Sequence, residues 1–344
     1  LQTALGDYTG ALQRHIEGSR TASKELAKLR GGASGIAAAA TKPKQKGLPD
    51  YGFAPDFAGI SHWLNTPGER PLTTAGLKGK VVLLDFWTYS CINCLRTLPY
   101  LEAWDRTYRK DGLVIVGVHT PEFAFEHVLS NVRSATKRLG VGYPVALDND
   151  YGTWNAYGNQ YWPAEYLIDR SGHVRHAHFG EGEYDNTESL IRRLLAERRT
   201  RLPKALGLAD KTPTGLVTPE TYLGSSRLDR YAGSPIVAKG EGEYRLPRTV
   251  AQNELAYGGR WTVTPEQIVA GRNASLLLHF NARAVYLVAS GHGTIRALVD
   301  GKPAGTIAVD GARLYTVLKG AEIREGLLDL RFSPGLAGYS FTFG

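Results

Sequence analysis

Hydrophobic and polar positions follow two textures along this chain, and the change falls near Lys211. From Leu48 to about Leu206, short apolar runs alternate with amphipathic stretches. Val81–Trp87, Leu113–His119, Tyr143–Ala146, Ala164–Ile168 and His173–Phe179 read as strands, while Cys91–Tyr108, Phe123–Leu139 and Thr187–Arg199 carry helical spacing. The first, second and fourth runs are almost continuously apolar, as in strands covered by helices on both faces. Strands alternating with helices in this way predict an α/β layer architecture. Asp169–Gly172, between two strand runs, predicts a tight hairpin.

Beyond Lys211 the helical periodicity disappears and turn residues such as Gly224, Gly258, Gly259, Gly271, Gly301 and Gly335 recur. Between them lie Ser275–His279, Ala284–Ala289, Thr294–Val299, Gly305–Val309, Leu314–Val317, Leu327–Phe332 and Tyr339–Phe343, all strand-like. Asp300 and Gly301 predict a hairpin turn. The texture is that of an all-β sandwich or jelly roll. Residues 1–47 differ from both, with loose helical spacing over Tyr8–Leu29 and a low-complexity, Gly- and Ala-rich linker over Gly31–Gly47. The expected organisation is therefore a helical segment and linker (1–47), an α/β domain (48–206) and a β domain (211–344).

Composition narrows the function. The 344 residues are 42% hydrophobic and 22% charged, which fits folded globular domains. The net charge of +8 lacks the aromatic-interleaved basic cluster of a nucleic-acid surface, so no nucleic-acid partner is expected. A basic protein near an anionic envelope surface fits the same balance. No apolar run is long enough to span a bilayer. The opening LQTALGDYTG has neither an initiator Met nor a signal-peptide layout, which suggests a piece of a longer chain or a processed form.

Cys91 and Cys94 are the chain's two cysteines, at C-x-x-C spacing where the run Val81–Trp87 gives way to a helix. Two cysteines make no disulfide scaffold at this size, so they read as a functional pair. At the start of a helix the spacing brings two sulfurs within reach of a reversible disulfide. The first sulfur meets the unpaired N–H groups of the first turn, which favour thiolate. Cys91 is thus the expected nucleophile and Cys94 the resolving thiol. Half a zinc site has the same spacing, with His119, His173, His176 and His178 as the available further ligands. No ligand-spaced pair accompanies them, so no metal and no cofactor besides the redox-active disulfide is expected.

Asp85 interrupts the apolar strand that precedes the cysteines. It is either a buried acid that carries a proton for Cys94 or a strand-end cap. Pro99 falls inside the helix that follows. Pro163, after Trp162 at the entrance of AEYLI, is either a cis-proline beside the cysteines or a simple strand-start proline.

This constellation resembles the thioredoxin superfamily. The segments WTYSCINCLRTLPYLEAW, VGVHTPEFAFE and YWPAEYLID are similar to the extracytoplasmic part of DipZ-type proteins, and the stretch before Ala164 resembles the insert of the TlpA-like branch. TPETYLG, VYLV, LVDGKP, RLYT and RFSPGLAGYSFTFG are similar to that family's appended domain, which resembles carbohydrate-binding modules. The resemblance implies a thioredoxin-like domain followed by a β-sandwich or jelly-roll domain. It also implies a soluble, extracytoplasmic (periplasmic-side) part of a membrane-anchored protein connected with cytochrome c biogenesis. A membrane CcdA/DsbD-like domain would be the electron donor, and extracytoplasmic proteins with disulfides the acceptors. Position by position it assigns Cys91 as nucleophile, Cys94 as resolving thiol, Pro163 as cis-proline with Trp162 beside it, and Asp85 as the buried acid. Ile92 and Asn93 stand where thioredoxin has Gly-Pro, so its potential does not carry over. Glu122 and Glu126 lie where relatives place an active-site acid, and the alternative for both is a solvated helix face.

In the β domain, Tyr231, Tyr257, Trp261, Tyr315 and Tyr339 are aromatics able to stack on sugar rings or to fill a core. Trp261, on a loop-like Gly-rich stretch with Tyr257, is the chosen glycan contact. Another protein is the alternative partner of this domain. The competing function is a glycan- or protein-binding module whose redox domain is vestigial.

Overall fold

The computed structural model describes residues 47–198, 201–215 and 217–344, so the N-terminal helical segment and nearly all of its linker lie outside the described residues. The boundary between two compact units falls between Thr212 and Pro213.

The first unit runs β1 (His62–Leu64), β2 (Val81–Trp87), α1 (Ile92–Tyr108), β3 (Leu113–His119), α2 (Leu129–Leu139), β4 (Val145–Leu147), α3 (Gly152–Ala156), β5 (Ala164–Ile168), β6 (Val174–Phe179) and α4 (Tyr184–Ala196). Its sheet has the order β1-β4-β3-β2-β5-β6. β2, β3 and β4 are parallel, while β1, β5 and β6 join antiparallel. Both parallel pairs, β2–β3 and β3–β4, join consecutive strands through an intervening helix, because a parallel return needs a crossover.

All seven residues of β2 are buried. Its side chains alternate between two apolar layers. Val81, Leu83 and Trp87 pack in one layer with Leu101 and Trp104 of α1 and Ile191 of α4. Val82, Leu84 and Phe86 pack in the other with Trp154, Tyr157 and Tyr166. Burying an aliphatic or aromatic side chain of this size stabilises a fold by about 1.5–3 kcal/mol. Asp85 takes a position in the first layer that an apolar residue would fill with that gain. Next to it on β3, Gly117 has no room for a side chain, since a Cβ would lie 2.8 Å from Trp87 Nε1.

The helix predicted over Phe123–Leu139 divides into a 3₁₀ turn at Ala124–His127 and α2. The Glu126 carboxylate accepts the N–H groups of Glu122 and Phe123, which closes the turn on itself, and Val128 is extended. β1 and α3 are too short to register in the apolar pattern. The predicted hairpin at Asp169–Gly172 joins β5 to β6, with Asp169 Oδ1 accepting the N–H groups of Ser171 and His173.

The second unit contains β7 (Thr221–Tyr222), β8 (Glu241–Tyr244), β9 (Leu255–Val263), β10 (Ile268–Ala270), β11 (Ser275–Ser290), β12 (His292–Val299), β13 (Lys302–Asp310), β14 (Arg313–Phe332) and β15 (Ala337–Phe343). Every named pairing is antiparallel, as the texture predicts. Two of the predicted strands fuse into β11 and two into β14, because pairing continues across Asn281↔Glu325 and Ala282↔Arg324. β11 pairs β9 with its first residues and β15 with its last, while β10 bridges β9 and β15. The sheet thereby closes on itself around Tyr257, Trp261, Phe280 and Phe341.

Candidate redox site

β2 ends at Trp87, and the buried turn Thr88–Ser90 leads into α1. Cys91 is the N-cap, with extended backbone (φ −79°, ψ 120°), and its carbonyl accepts the Leu95 N–H at 3.0 Å. Both cysteines are free thiols. The C-x-x-C spacing leaves Cys91 half-buried at the helix end and places Cys94 beneath it, 1% exposed. Burial pushes the Cys94 thiol well above its usual range, and a hydrogen bond with Cys91 and the charges of Cys91 and Asp85 add to it. Cys94 is therefore held protonated until something takes its proton.

Asp85 is that neighbour. It is 1% exposed, and its Oδ1 has no hydrogen-bond partner among the described residues. Burial raises its carboxyl well above the normal range, with a further push from Glu165, its direct partner across the β2–β5 ladder. Glu165 is equally buried, its carboxyl raised by burial to about 7 while Thr187 Oγ1 donates to Oε2 at 3.3 Å. Sequence reading passed over Glu165. Its signal is the one that picked out Asp85, a charge inside an apolar strand.

Glu126 is not a solvated helix residue. It has no exposed surface, and burial raises its carboxyl to about 7. Ser90 Oγ donates to it at 2.6 Å, which ties the residue before Cys91 to the 3₁₀ turn. Glu122, half-buried, contributes its backbone N–H to Glu126 Oε2 at 2.7 Å. His119 stacks on Tyr89 at 5.6 Å and lies edge-on to Trp87. Burial lowers its imidazole to about 3, so it is neutral at pH 7, and neither ring nitrogen has a partner among the described residues.

The Trp162–Pro163 peptide is cis. Trp162 Nε1 donates to the Thr120 carbonyl at 3.1 Å, and the Thr120 N–H returns to the Trp87 carbonyl at 3.0 Å. The loop before β5 is thus tied to the end of β2 from which the cysteine turn departs. Arg96 of α1 holds Glu181 through two 2.7 Å bonds and reaches Asn93 Oδ1, between the cysteines, also at 2.7 Å.

The four histidines form no metal-ligand group with the cysteines among the described residues. Among the described residues, no group of three or more His, Cys, Asp or Glu side chains is placed to hold a metal. His173 instead contacts Asp50, and His176 and His178 lie on β6.

The two aromatics chosen for glycan contact are interior. Trp261 lies within β9 rather than on a loop and is fully buried, with Nε1 donating to the Gly258 and Ser275 carbonyls. Tyr257 is also fully buried, its hydroxyl donating to the Leu223 carbonyl at 2.7 Å. Neither ring offers a face to a sugar. Gly259 explains the misreading: at φ 72° a Cβ would meet the Asn273 carbonyl at 2.0 Å, so this glycine permits a close approach inside a strand.

Two families match separate parts of the chain. A family described as Redoxin matches residues 52–195, and one described as thioredoxin like C-terminal domain matches 218–344. The proteins DipZ of Mycobacterium bovis and Mycobacterium tuberculosis are 42% identical over 100% of this chain, which spans 50% of their length. The thiol-disulfide oxidoreductase YkuV of Bacillus subtilis is 31% identical over 42% of this chain and 94% of its own. A solved thioredoxin-like protein in its oxidized form is 29% identical over 43% of this chain and 97% of its own, with a TM-score of 0.38.

Proposed function

The chain belongs to the thioredoxin-like thiol–disulfide oxidoreductases, and from that premise we propose that Cys91 and Cys94 are its redox pair and that it reduces extracytoplasmic disulfides. The supporting observation is the pairing of a half-buried Cys91 at the α1 N-cap with a buried, protonated Cys94 beside the buried Asp85. In this reading the Cys91 thiolate attacks a partner disulfide, and one partner sulfur leaves as thiolate. Cys94 then gives its proton to the Asp85 carboxylate and attacks Cys91 Sγ. The mixed disulfide breaks, the second partner sulfur departs, and the enzyme keeps a Cys91–Cys94 disulfide. Two electrons have passed to the partner.

The oxidised pair is re-reduced by a membrane-embedded domain of the CcdA/DsbD kind. The half of the DipZ proteins that lies outside the match leaves room for such a domain. No described helix is long and apolar enough to cross a membrane. The second unit serves as a partner-recognition module, a role that no longer rests on Trp261 or Tyr257. The test is mixed-disulfide trapping with Cys94→Ala alongside insulin reduction by the native chain. Trapping of disulfide partners that Cys91→Ser does not capture supports the reading. Equal, background turnover by native chain and Cys91→Ser leaves only the vestigial-domain alternative.

A further inference from the structure

Strand register places three titratable side chains in one row across the first unit's sheet. Asp85 on β2 pairs with Glu165 on β5, and Glu165 pairs with His178 on β6. Directly paired residues of antiparallel neighbours share a face, with Cβ atoms about 4.5–5.5 Å apart. Leu83 of β2 and Leu167 of β5 lie in the same layer, under α1 and α4. The row is covered, with Asp85, Glu165 and His178 only 1%, 2% and 5% exposed. It is also under-bonded: neither Asp85 Oδ1 nor His178 Nε2 has a hydrogen-bond partner among the described residues. β6 is the edge strand, so the row runs from beneath the cysteines to the margin of the sheet. Packing does not account for it, because apolar side chains at these positions would be buried without the desolvation penalty.

We propose that Asp85, Glu165 and His178 form a proton-conducting row between the Cys94 thiol and the edge of the sheet, with Glu165 and His178 as the relay beyond Asp85. This rests on the reading of Cys91 and Cys94 as an exchanging pair. When Cys94 resolves a mixed disulfide, its proton goes to the Asp85 carboxylate and its thiolate attacks Cys91 Sγ. The Cys91–Cys94 bond forms, the Cys91–partner bond breaks, and the partner sulfur leaves with the electron pair. Asp85 passes the proton to Glu165, Glu165 passes it to His178, and His178 releases it to water beside the exposed Glu183 and Asp210. Reduction of the Cys91–Cys94 disulfide by a donor dithiol takes two electrons from that dithiol and runs one proton inward along the row to Cys94.

The groups facing the row are Cys94 of α1 and Tyr143 at the Asp85 end, Thr187 and Tyr184 of α4 at Glu165, and His176, Glu181, Glu183 and Asp210 at His178. Burial raises both carboxyls and lowers His178, so the carboxyls shift toward the imidazole's ordinary range and the imidazole toward theirs.

The test follows reduction of the Cys91–Cys94 disulfide by dithiothreitol in the whole chain, from about pH 5 to about pH 9. Glu165→Gln and His178→Gln are each expected to slow reduction about tenfold below about pH 7 and to converge on the native rate near the alkaline end, where hydroxide handles the proton. The double variant Asp85→Asn/Glu165→Gln should be no slower than Asp85→Asn alone, because the two act in line. A residue that only packs would change the rate equally at every pH and add to Asp85→Asn. If Glu165→Gln does not fold, His178→Gln at the edge decides, and Glu165→Asp, which keeps a carboxyl, should preserve the native profile. Native pH profiles in the Gln variants, or additivity in the double, overturn the row. In either case exchange by the native chain and none by Cys91→Ser leaves the enzyme reading standing. A native chain with no exchange removes both.

Discussion

The helix-covered face of the first unit's sheet and the interior of the second unit both bury polar side chains, and the contrast lies in their aromatics and titratable groups, although Ser340 Oγ of the second unit also lacks a partner among the described residues. In the second unit the Tyr257 hydroxyl, the Trp261 indole N–H and the Tyr315 hydroxyl all donate to backbone carbonyls. Around Cys94, by contrast, Asp85 Oδ1, the Tyr143 hydroxyl, Trp87 Nε1 and both nitrogens of His119 are buried without a partner among the described residues. Each such group costs about 1–3 kcal/mol against a bonded one. The first unit accepts that cost repeatedly around one sulfur, and these three aromatics of the second avoid it. Satisfied polar aromatics mark packing. Unsatisfied titratable groups around a buried thiol mark chemistry.

The sharpest way to break this contrast is to remove the sulfur. Cys91→Ser is expected to abolish insulin reduction while the thermal midpoint stays close to native, since Cys91 is half-buried at a helix end. Persistent turnover in that variant would show that the first unit's under-bonded groups serve something else. Trp261→Ala comes next. Loss of a fully buried Trp should cost about 3–5 kcal/mol and lower the second unit's unfolding transition. The disulfide reduction rate of the first unit should stay within about twofold of native, its residues lying outside the substituted core. A stable variant with lost sugar affinity would restore the glycan reading of Trp261.

Asp85→Asn should move rate and stability in opposite directions. Exchange is expected to slow about a hundredfold at neutral pH, within the range of a lost general acid–base group. Chemical denaturation near pH 8 should show a more stable first unit, because a neutral amide carries no buried charge penalty. A variant that is both slower and less stable would make Asp85 a structural residue.

How far the sequence shows this contrast depends on how local each feature is. Asp85 is legible because a carboxylate inside Val81–Trp87 is anomalous within its own strand. Glu165 carries the same anomaly within Ala164–Ile168, yet its meaning arises only from its register against Asp85, far off in the chain. Trp261 misleads because Gly258 and Gly259 read as loop, whereas Gly259 lets β9 pass close to the Asn273 carbonyl. The α/β alternation is a local pattern and is read correctly, and the C-x-x-C spacing of Cys91 and Cys94 is as local. Glu126 is hidden by helical spacing that runs on past the 3₁₀ turn, and its bond to Ser90 exists only once β2 and β3 lie side by side.

Glu126 also gives the mildest test, through pH. Its carboxyl rises from an ordinary 4.5 to about 7 on folding, mainly by burial. Below about pH 4.5 it is protonated in both states and its contribution is complete. Between about 4.5 and 7 the unfolded chain binds fewer protons than the folded one, so stability falls as pH rises, by about 3 kcal/mol in all. Glu165, also raised to about 7, acts in the same sense. His119, lowered to about 3, acts in the opposite one, adding stability as pH rises toward its ordinary 6.5. The native curve is therefore a partial cancellation, and only a difference curve exposes the Glu126 share. Denaturation of native chain and Glu126→Gln at matched pH should diverge steadily from about pH 4.5 to 7, with the variant gaining ground as pH rises. Parallel curves would mean that Glu126 ionises as an exposed carboxylate does, and the Ser90 turn would then belong with ordinary surface chemistry instead of the under-bonded interior around Cys94.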